Sequence, residues 1–99
     1  MIEVAVTANI ECAHTDDIGR VHGHSYVLEV WFPAGPDLVT LDARVRDIAA
    51  TVDHTMLEDS IGGARMEDVA HWFLAKIPSA SRVVARRPTL GFAAEIRRD

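Results

Sequence analysis

Apolar and polar residues alternate along the first twelve positions of the chain. Every even position from Ile2 to Cys12 is apolar, and the polar residues fall on odd positions. A period of two over that length predicts a long β-strand with one buried face. A second alternating run ends at Pro33 and contains Tyr26, Leu28, Val30 and Phe32. Because only a short polar turn at 15–20 separates the two runs, they are most simply an antiparallel pair.

Helical spacing replaces alternation in the middle of the chain. A helix is predicted at about 41–52 from Leu41, Val45, Ile48, Ala49 and Val52. After the break at Gly62-Gly63, a second helix is predicted at about 65–77 from Met66, Val69, Ala70, Phe73, Leu74 and Ile77. Pro78 follows the second stripe and is a common stop signal.

Two shorter strands, near 81–87 and 90–97, complete the order ββααββ. This order predicts an α+β fold, a four-stranded antiparallel sheet with both helices on one face. The other face of the sheet is partly apolar through Ala5, Val27 and Trp31. We therefore expect another subunit to cover it.

Composition narrows the functional classes. With 99 residues the chain is predicted to form a single domain spanning 1–99. Fifteen acidic against ten basic residues give a formal charge of −5, which argues against a general nucleic-acid binder. Cys12 is the only cysteine, so no intrachain disulfide can form. Neither a signal peptide nor a membrane-spanning stretch is evident, and we expect a cytoplasmic protein with no membrane partner.

Three histidines near the predicted hairpin turn suggest a metal site. His22 and His24 are two residues apart, so on a strand their imidazoles point the same way. The parity of the first strand puts His14 on its apolar face at the end nearest the turn. Three imidazoles would suit zinc and leave a fourth position open, as in catalytic sites. The His-x-His pair alone is weak evidence, because five histidines produce one by chance fairly often.

The order of several motifs carries a family resemblance. Ala13-His14 is followed by a five-residue motif at 22–26 (His-Gly-His-Ser-Tyr), then by Asp53-His54, then by Glu67 ahead of a helical stripe. Over its whole length the sequence resembles the family of 6-pyruvoyl-tetrahydropterin synthase and 6-carboxy-tetrahydropterin synthase. The resemblance implies the tunnelling fold, a homo-hexameric barrel, a pterin-like small-molecule substrate, and Zn²⁺ held by His14, His22 and His24.

The catalytic cysteine of the family has no counterpart here. Family enzymes carry it four residues before the first histidine of His-Gly-His, on a longer loop; that position is Ile18 in this chain. Isoleucine cannot transfer a proton. Cys12 shares the parity of His14 and is a conceivable substitute, although a small buried strand residue is the simpler interpretation.

The Asp53-His54 pair is retained. In the family these two residues act beside the cysteine, and an Asp–His pair is a sound general acid–base device. The resemblance therefore implies a catalytic role for Asp53 and His54. The alternative is structural: His54 would complement the dipole at the end of the first helix.

The pterin-binding positions are altered. In the family a strand-three glutamate accepts two hydrogen bonds from the pterin ring, and alignment at 86–89 puts Arg86 in its place. Arginine only donates, so it would suit a carboxylate, a phosphate or a ring carbonyl instead, unless it is simply displaced into solvent. Arg65 replaces a family threonine before Glu67. We expect Glu67, Arg65 and Arg86 to shape the substrate pocket.

Three functional hypotheses remain open from the sequence. The first is a zinc-dependent lyase or synthase-like enzyme acting on a pterin-like or other small heterocyclic substrate. The second is a non-catalytic relative that keeps the barrel and binds a metal or a metabolite. The third is a purely structural assembly with vestigial histidines.

Overall fold

The computed structural model describes residues 1–99, and a long hairpin dominates it. Strand β1 (Glu3–Thr15) pairs antiparallel with β2 (Val21–Pro33) over the whole length of both. The even residues of both strands face the core, as their alternation predicts. In this register His14 lies opposite His22, and Cys12 lies opposite His24.

Three helices follow the hairpin: α1 (Leu38–Ala50), α2 (Leu57–Ser60) and α3 (Met66–Lys76). The two long helices are those that the sequence predicts. Helix α1 begins three residues earlier than predicted, because its exposed first-turn residues Leu38 and Val39 do not belong to the apolar stripe. The one-turn helix α2 is not predicted, since four residues are too few to show a helical period.

Strands β3 (Arg82–Arg87) and β4 (Phe92–Arg97) complete a four-stranded antiparallel sheet in the order β1-β2-β3-β4. The predicted α+β arrangement is therefore confirmed. Strand β4 starts two residues later than predicted, because Leu90 and Gly91 form the turn, with Gly91 at a φ of 71°.

The core lies between one face of the sheet and the helices, and every buried residue is apolar. Its largest fully buried side chains are Tyr26, Phe32, Phe73, Ile10, Leu28, Leu57 and Ile77. On the opposite sheet face Ala5 is exposed, and Val27 and Trp31 are half-buried. A partly apolar outer face is thus present in the single chain.

The hairpin extends beyond the rest of the sheet, and this extension positions the site. Strand β3 pairs with β2 only over Val27–Trp31, so residues 21–26 of β2 pair with β1 alone. The chain after α1 supports the extension from the other side. There the backbone N–H of Ala13 donates to the carbonyl of Thr55 at 3.0 Å, and Ala13 forms a parallel bridge with Met56. None of the helices combines the length and the apolar character needed to cross a lipid bilayer.

Candidate metal centre and adjoining cleft

Three imidazoles converge at the end of the β1–β2 hairpin. One nitrogen from each of His14, His22 and His24 lies within 4.8 Å of the other two. The ring centroids are 4.3 Å apart for His14 and His22, 4.6 Å for His22 and His24, and 4.9 Å for His14 and His24. Strand parity causes this convergence, because all three even-numbered residues point to the helix side of the hairpin.

Hydrogen bonds orient two of the rings. The Nδ1 of His14 donates to the carbonyl oxygen of Thr15 at 3.3 Å, which leaves its Nε2 free to accept or to ligate. The Nε2 of His24 lies 2.9 Å from that Nε2 atom. On the other side of the His24 ring, Nη2 of Arg87 lies 2.6 Å from Nδ1 of His24. Arg87, His24 and His14 therefore form a chain of donors and acceptors.

The electrostatics favour a neutral His24. Burial, followed in order of effect by the nearby Arg87 guanidinium, His14 and His22, lowers the pKa of His24 to about 4. The ring therefore carries no charge at neutral pH, which is the form that ligates a metal. Three imidazole nitrogens at this separation form a donor set that fits Zn²⁺.

A cleft of about 430 Å³ adjoins the histidines. It is lined by Glu11, Cys12, Ala13, Gly23, His24, Ser25, His54, Thr55 and Met56. His24 and His54 thus lie on one cleft, although they are thirty residues apart in the chain. The contact of residues 53–56 with the edge of β1 brings them together.

His54 lines this cleft and contacts Asp53 beside it, with His54 Nδ1 3.0 Å from a carboxylate oxygen of Asp53. The backbone N–H of His54 donates to the carbonyl of Glu11 at 2.6 Å. The backbone N–H of Glu11 donates to Asp53 at 2.8 Å and, with His54, holds the pKa of that carboxyl below its usual value. The His54 side chain is 76% exposed and can exchange protons with solvent or a ligand. Helix α1 ends at Ala50, so His54 lies four residues beyond it rather than in its last turn.

Neither Cys12 nor Ile18 supplies a thiolate. Cys12 is buried in the core, and its Sγ donates to the carbonyl of Val52 at 3.1 Å. Burial raises the pKa of the Cys12 thiol, so it stays protonated at neutral pH. Ile18 is on the turn between β1 and β2 and is 72% exposed.

The three predicted substrate-binding residues lie apart from this cleft within one chain. Arg86 faces the opposite side of the sheet, where its Nε donates to Glu29 at 2.8 Å. Arg65 and Glu67 pair with each other at 2.9 Å at the start of α3. Glu67 lines a separate depression of about 370 Å³, together with Asp68, Ala70, His71, Ala94, Glu95 and Ile96.

Two residues of the site were not predicted from the sequence. Arg87 is detectable in principle, because Val83 and Ala85 face the core and the same parity puts Arg87 on the face of the histidines. Glu58 accepts the backbone N–H of Thr15 at 2.8 Å and so supports the strand beside His14. No local pattern marks Glu58, since its partner is 43 residues away.

Comparison with known proteins identifies the family and the fold of the chain. Residues 3–90 match the sequence profile of the family described as 6-pyruvoyl tetrahydropterin synthase. Among solved structures, a 6-pyruvoyl tetrahydropterin synthase from Caenorhabditis elegans is similar, with a TM-score of 0.81 at 18% identity. That likeness covers 99% of this chain and 96% of the other, and it confirms the predicted tunnelling fold. No curated protein matches the sequence significantly.

Proposed function

The chain belongs to the 6-pyruvoyl tetrahydropterin synthase family, and from that premise we propose that it is a zinc-dependent, synthase-like lyase acting on a pterin-like or other small heterocyclic substrate. The observation that carries the proposal is the cluster of three imidazoles beside a cleft that is also lined by His54, whose ring contacts Asp53. A metal-ligating set and an acid–base group beside one cleft are the two parts that such chemistry requires.

His14, His22 and His24 would hold the zinc through neutral imidazole nitrogens. When bound, Zn²⁺ supplies Lewis-acid polarisation of a substrate carbonyl or hydroxyl. The chain contributes the rest. The carbonyl of Thr15 orients the His14 ring, and the low pKa of His24 keeps the His24 ring neutral.

His54 would move the proton. Asp53 holds Nδ1 of His54, so Nε2 is the nitrogen free to face a substrate. The exposure of His54 lets a ligand in the cleft reach it, and the backbone hydrogen bond to Glu11 keeps its position relative to β1. A general base held in this way is pre-oriented for transfer.

The reaction would differ from that of authentic family enzymes. A thiolate is disfavoured at Cys12 and unavailable at Ile18, so His54 is the proton-transfer group within reach of the cleft. Arg86 would not anchor a pterin ring as a glutamate does, because it only donates. We propose that Glu67, Arg65 and Arg86 bind substrate where subunits meet.

The proposed assembly is a cytoplasmic homo-hexamer with a small-molecule substrate and neither nucleic-acid nor membrane partners. It is supported by the partly apolar outer face of the sheet and by the part of the β1 edge that residues 53–58 leave uncovered. Closing the sheet into a barrel would remove that edge. Light scattering that finds a monomer at micromolar concentration would contradict the hexamer.

Metal analysis tests the zinc site. Wild-type protein incubated with zinc and dialysed should retain close to one zinc per chain, and His24→Ala should retain little while keeping its circular dichroism spectrum. His71→Ala is the matched control, because His71 lies on α3 outside the cluster. A wild-type protein that holds no zinc would exclude the proposal.

Turnover separates the proposal from its alternative. The absence of the family cysteine favours a second candidate, a homologue that binds a metal or a metabolite without turnover. A panel of pterin and purine metabolites should yield a substrate that zinc-loaded wild type converts. His54→Ala should bind the same metabolite but convert it roughly 10²–10⁴ times more slowly. Binding of a metabolite without conversion by wild type would favour the second candidate.

A further inference from the structure

Arg87 ends strand β3 with its guanidinium against the histidine cluster. Its Nη2 lies 2.6 Å from Nδ1 and 3.2 Å from Nε2 of His24. The Nε of Arg87 is buried and makes no hydrogen bond. No ion pair involves this residue, whereas the adjacent Arg86 pairs with Glu29. Arg87 therefore keeps unused donor capacity at the site.

The contact with Arg87 determines the tautomer of His24. Arginine only donates, so Nδ1 of His24 accepts and the ring proton resides on Nε2. That proton points at Nε2 of His14, 2.9 Å away, whose own Nδ1 donates to the carbonyl of Thr15. The three hydrogen bonds are mutually consistent.

Metal ligation requires the other tautomer. If Nε2 of His24 is the ligand, its proton must move to Nδ1. Nδ1 then becomes a donor that faces the guanidinium, which is also a donor. Arg87 loses its acceptor whenever His24 ligates in this way, and no carboxylate of the chain is paired with it to take over.

We propose that Arg87 binds an oxyanion of the substrate, a carboxylate or a phosphate group, beside the three histidines. This inference rests on the proposed zinc site and specifies an acidic substrate for it. The planar guanidinium matches the oxygens of either group and forms charge-assisted hydrogen bonds with them. The three imidazoles bring no negative charge, so an anion is also the ligand that balances the local positive charge.

Arg97 provides a matched control. It carries the same charge on the adjacent strand β4, but its side chain is exposed and its Nε pairs with Glu95 at 2.9 Å. An effect of the net charge of the protein would appear in both Arg97→Gln and Arg87→Gln. An effect of a bound oxyanion should appear in Arg87→Gln alone.

The test measures zinc affinity by competition with a chelator, in matched buffers that contain acetate, inorganic phosphate or neutral acetamide. Binding of the anion and of zinc are reciprocally linked. In wild type, acetate or phosphate should raise zinc affinity about tenfold over acetamide, within the usual range of such coupling. The ratio should fall to about twofold or less in Arg87→Gln and remain at the wild-type value in Arg97→Gln. Chelation of zinc by the buffer is common to all variants and cancels in the comparison.

Arg87→Lys tests whether a loss of the anion response in Arg87→Gln is due to misfolding. It keeps the charge without the planar guanidinium, so its ratio of zinc affinities should lie between those of wild type and Arg87→Gln. A response to acetate alone assigns the group as a carboxylate, and a response to phosphate alone assigns it as a phosphate. Zinc binding with the same anion response in wild type and Arg87→Gln overturns this inference and leaves the zinc site intact. A wild-type protein that takes up no zinc overturns the inference and the proposed function together.

Discussion

One carboxylate oxygen of Asp53 lies 2.8 Å from the backbone nitrogen of Glu11. This hydrogen bond joins the segment after α1 to the edge of β1, and its two residues are 42 positions apart in the sequence. The other carboxylate oxygen of Asp53 holds the ring of His54. Together with the backbone hydrogen bond from His54 to Glu11, this side chain holds the proposed base in place relative to the histidine cluster.

Replacing Asp53 with Asn should lower the free energy of unfolding at neutral pH but not at low pH. The pKa of Asp53 is lowered in the folded state, mainly by the Glu11 N–H and also by His54, so the carboxylate stabilises the fold above its ordinary pKa. That contribution is lost as the pH falls below about 4 and through the lowered value. The free energies of unfolding of wild type and Asp53→Asn, measured with urea from pH 7 to pH 2, should converge as the pH falls. Asp17→Asn is the control, since Asp17 forms no ion pair, and a constant difference across the range would contradict the prediction.

Metal-free protein should lose stability as the pH falls from about 6.5 to about 4. The unfolded His24 takes up a proton near its ordinary pKa, whereas the folded ring resists protonation until about pH 4 because it is desolvated and faces Arg87. Between those values the unfolded state binds more protons, so acid favours unfolding. His24→Gln should remove this part of the pH dependence, and His71→Gln should retain it. An NMR titration that finds His24 with an ordinary pKa would refute the assignment.

Leu57→Ala should destabilise the protein by about 2–5 kcal/mol, the range for deleting a buried leucine. Leu57 is fully buried and opens α2, directly after the segment that carries His54. The same substitution at Leu90, which is 51% exposed, should change stability by roughly 0.5 kcal/mol or less. Thermal and denaturant unfolding of both variants measure the difference. Equal effects would mean that α2 contributes little to the core.

Turnover of dihydroneopterin triphosphate should be slow. The 6-pyruvoyl-tetrahydropterin synthase reaction, as the family resemblance implies it, uses a thiolate at the position of Ile18, and loss of a proton-transfer group typically reduces rates ~10²–10⁴-fold. Cys12→Ala should leave any residual rate unchanged, because that thiol is buried and its pKa is raised. Rates typical of family enzymes would overturn the expectation. A rate that depended on Cys12 would identify Cys12 as the substitute for the catalytic cysteine of the family.

Much of the fold was predictable because burial repeats at short range. The alternation up to Cys12 and again from Tyr26 specifies two strands and their inner face, and continuing that parity locates His14 and His24 on one side. The predicted convergence of the three histidines therefore needed only local information.

The surroundings of the histidines were not predictable in this way. The approach of residues 53–58 to the β1 edge depends on how α1 packs, which no local pattern encodes. The ion pair between Arg86 and Glu29 likewise depends on strand register across 57 residues. The role of Arg87 becomes visible only when β3 is known to lie beside β2.

The histidines lie on a two-stranded ribbon that continues past the full sheet, in a molecule 46 Å long and only 23 Å wide. Such ribbons open locally at a lower free energy than the whole domain unfolds. At the proposed zinc site, metal entry and exit would therefore proceed through fraying of the hairpin tip, with rates independent of global unfolding. Amide hydrogen exchange would report this as rapid exchange at Gly23 and slow exchange at Leu28. The kinetic lability of the proposed centre would then be a property of hairpin length, separate from the affinity that the imidazoles would provide.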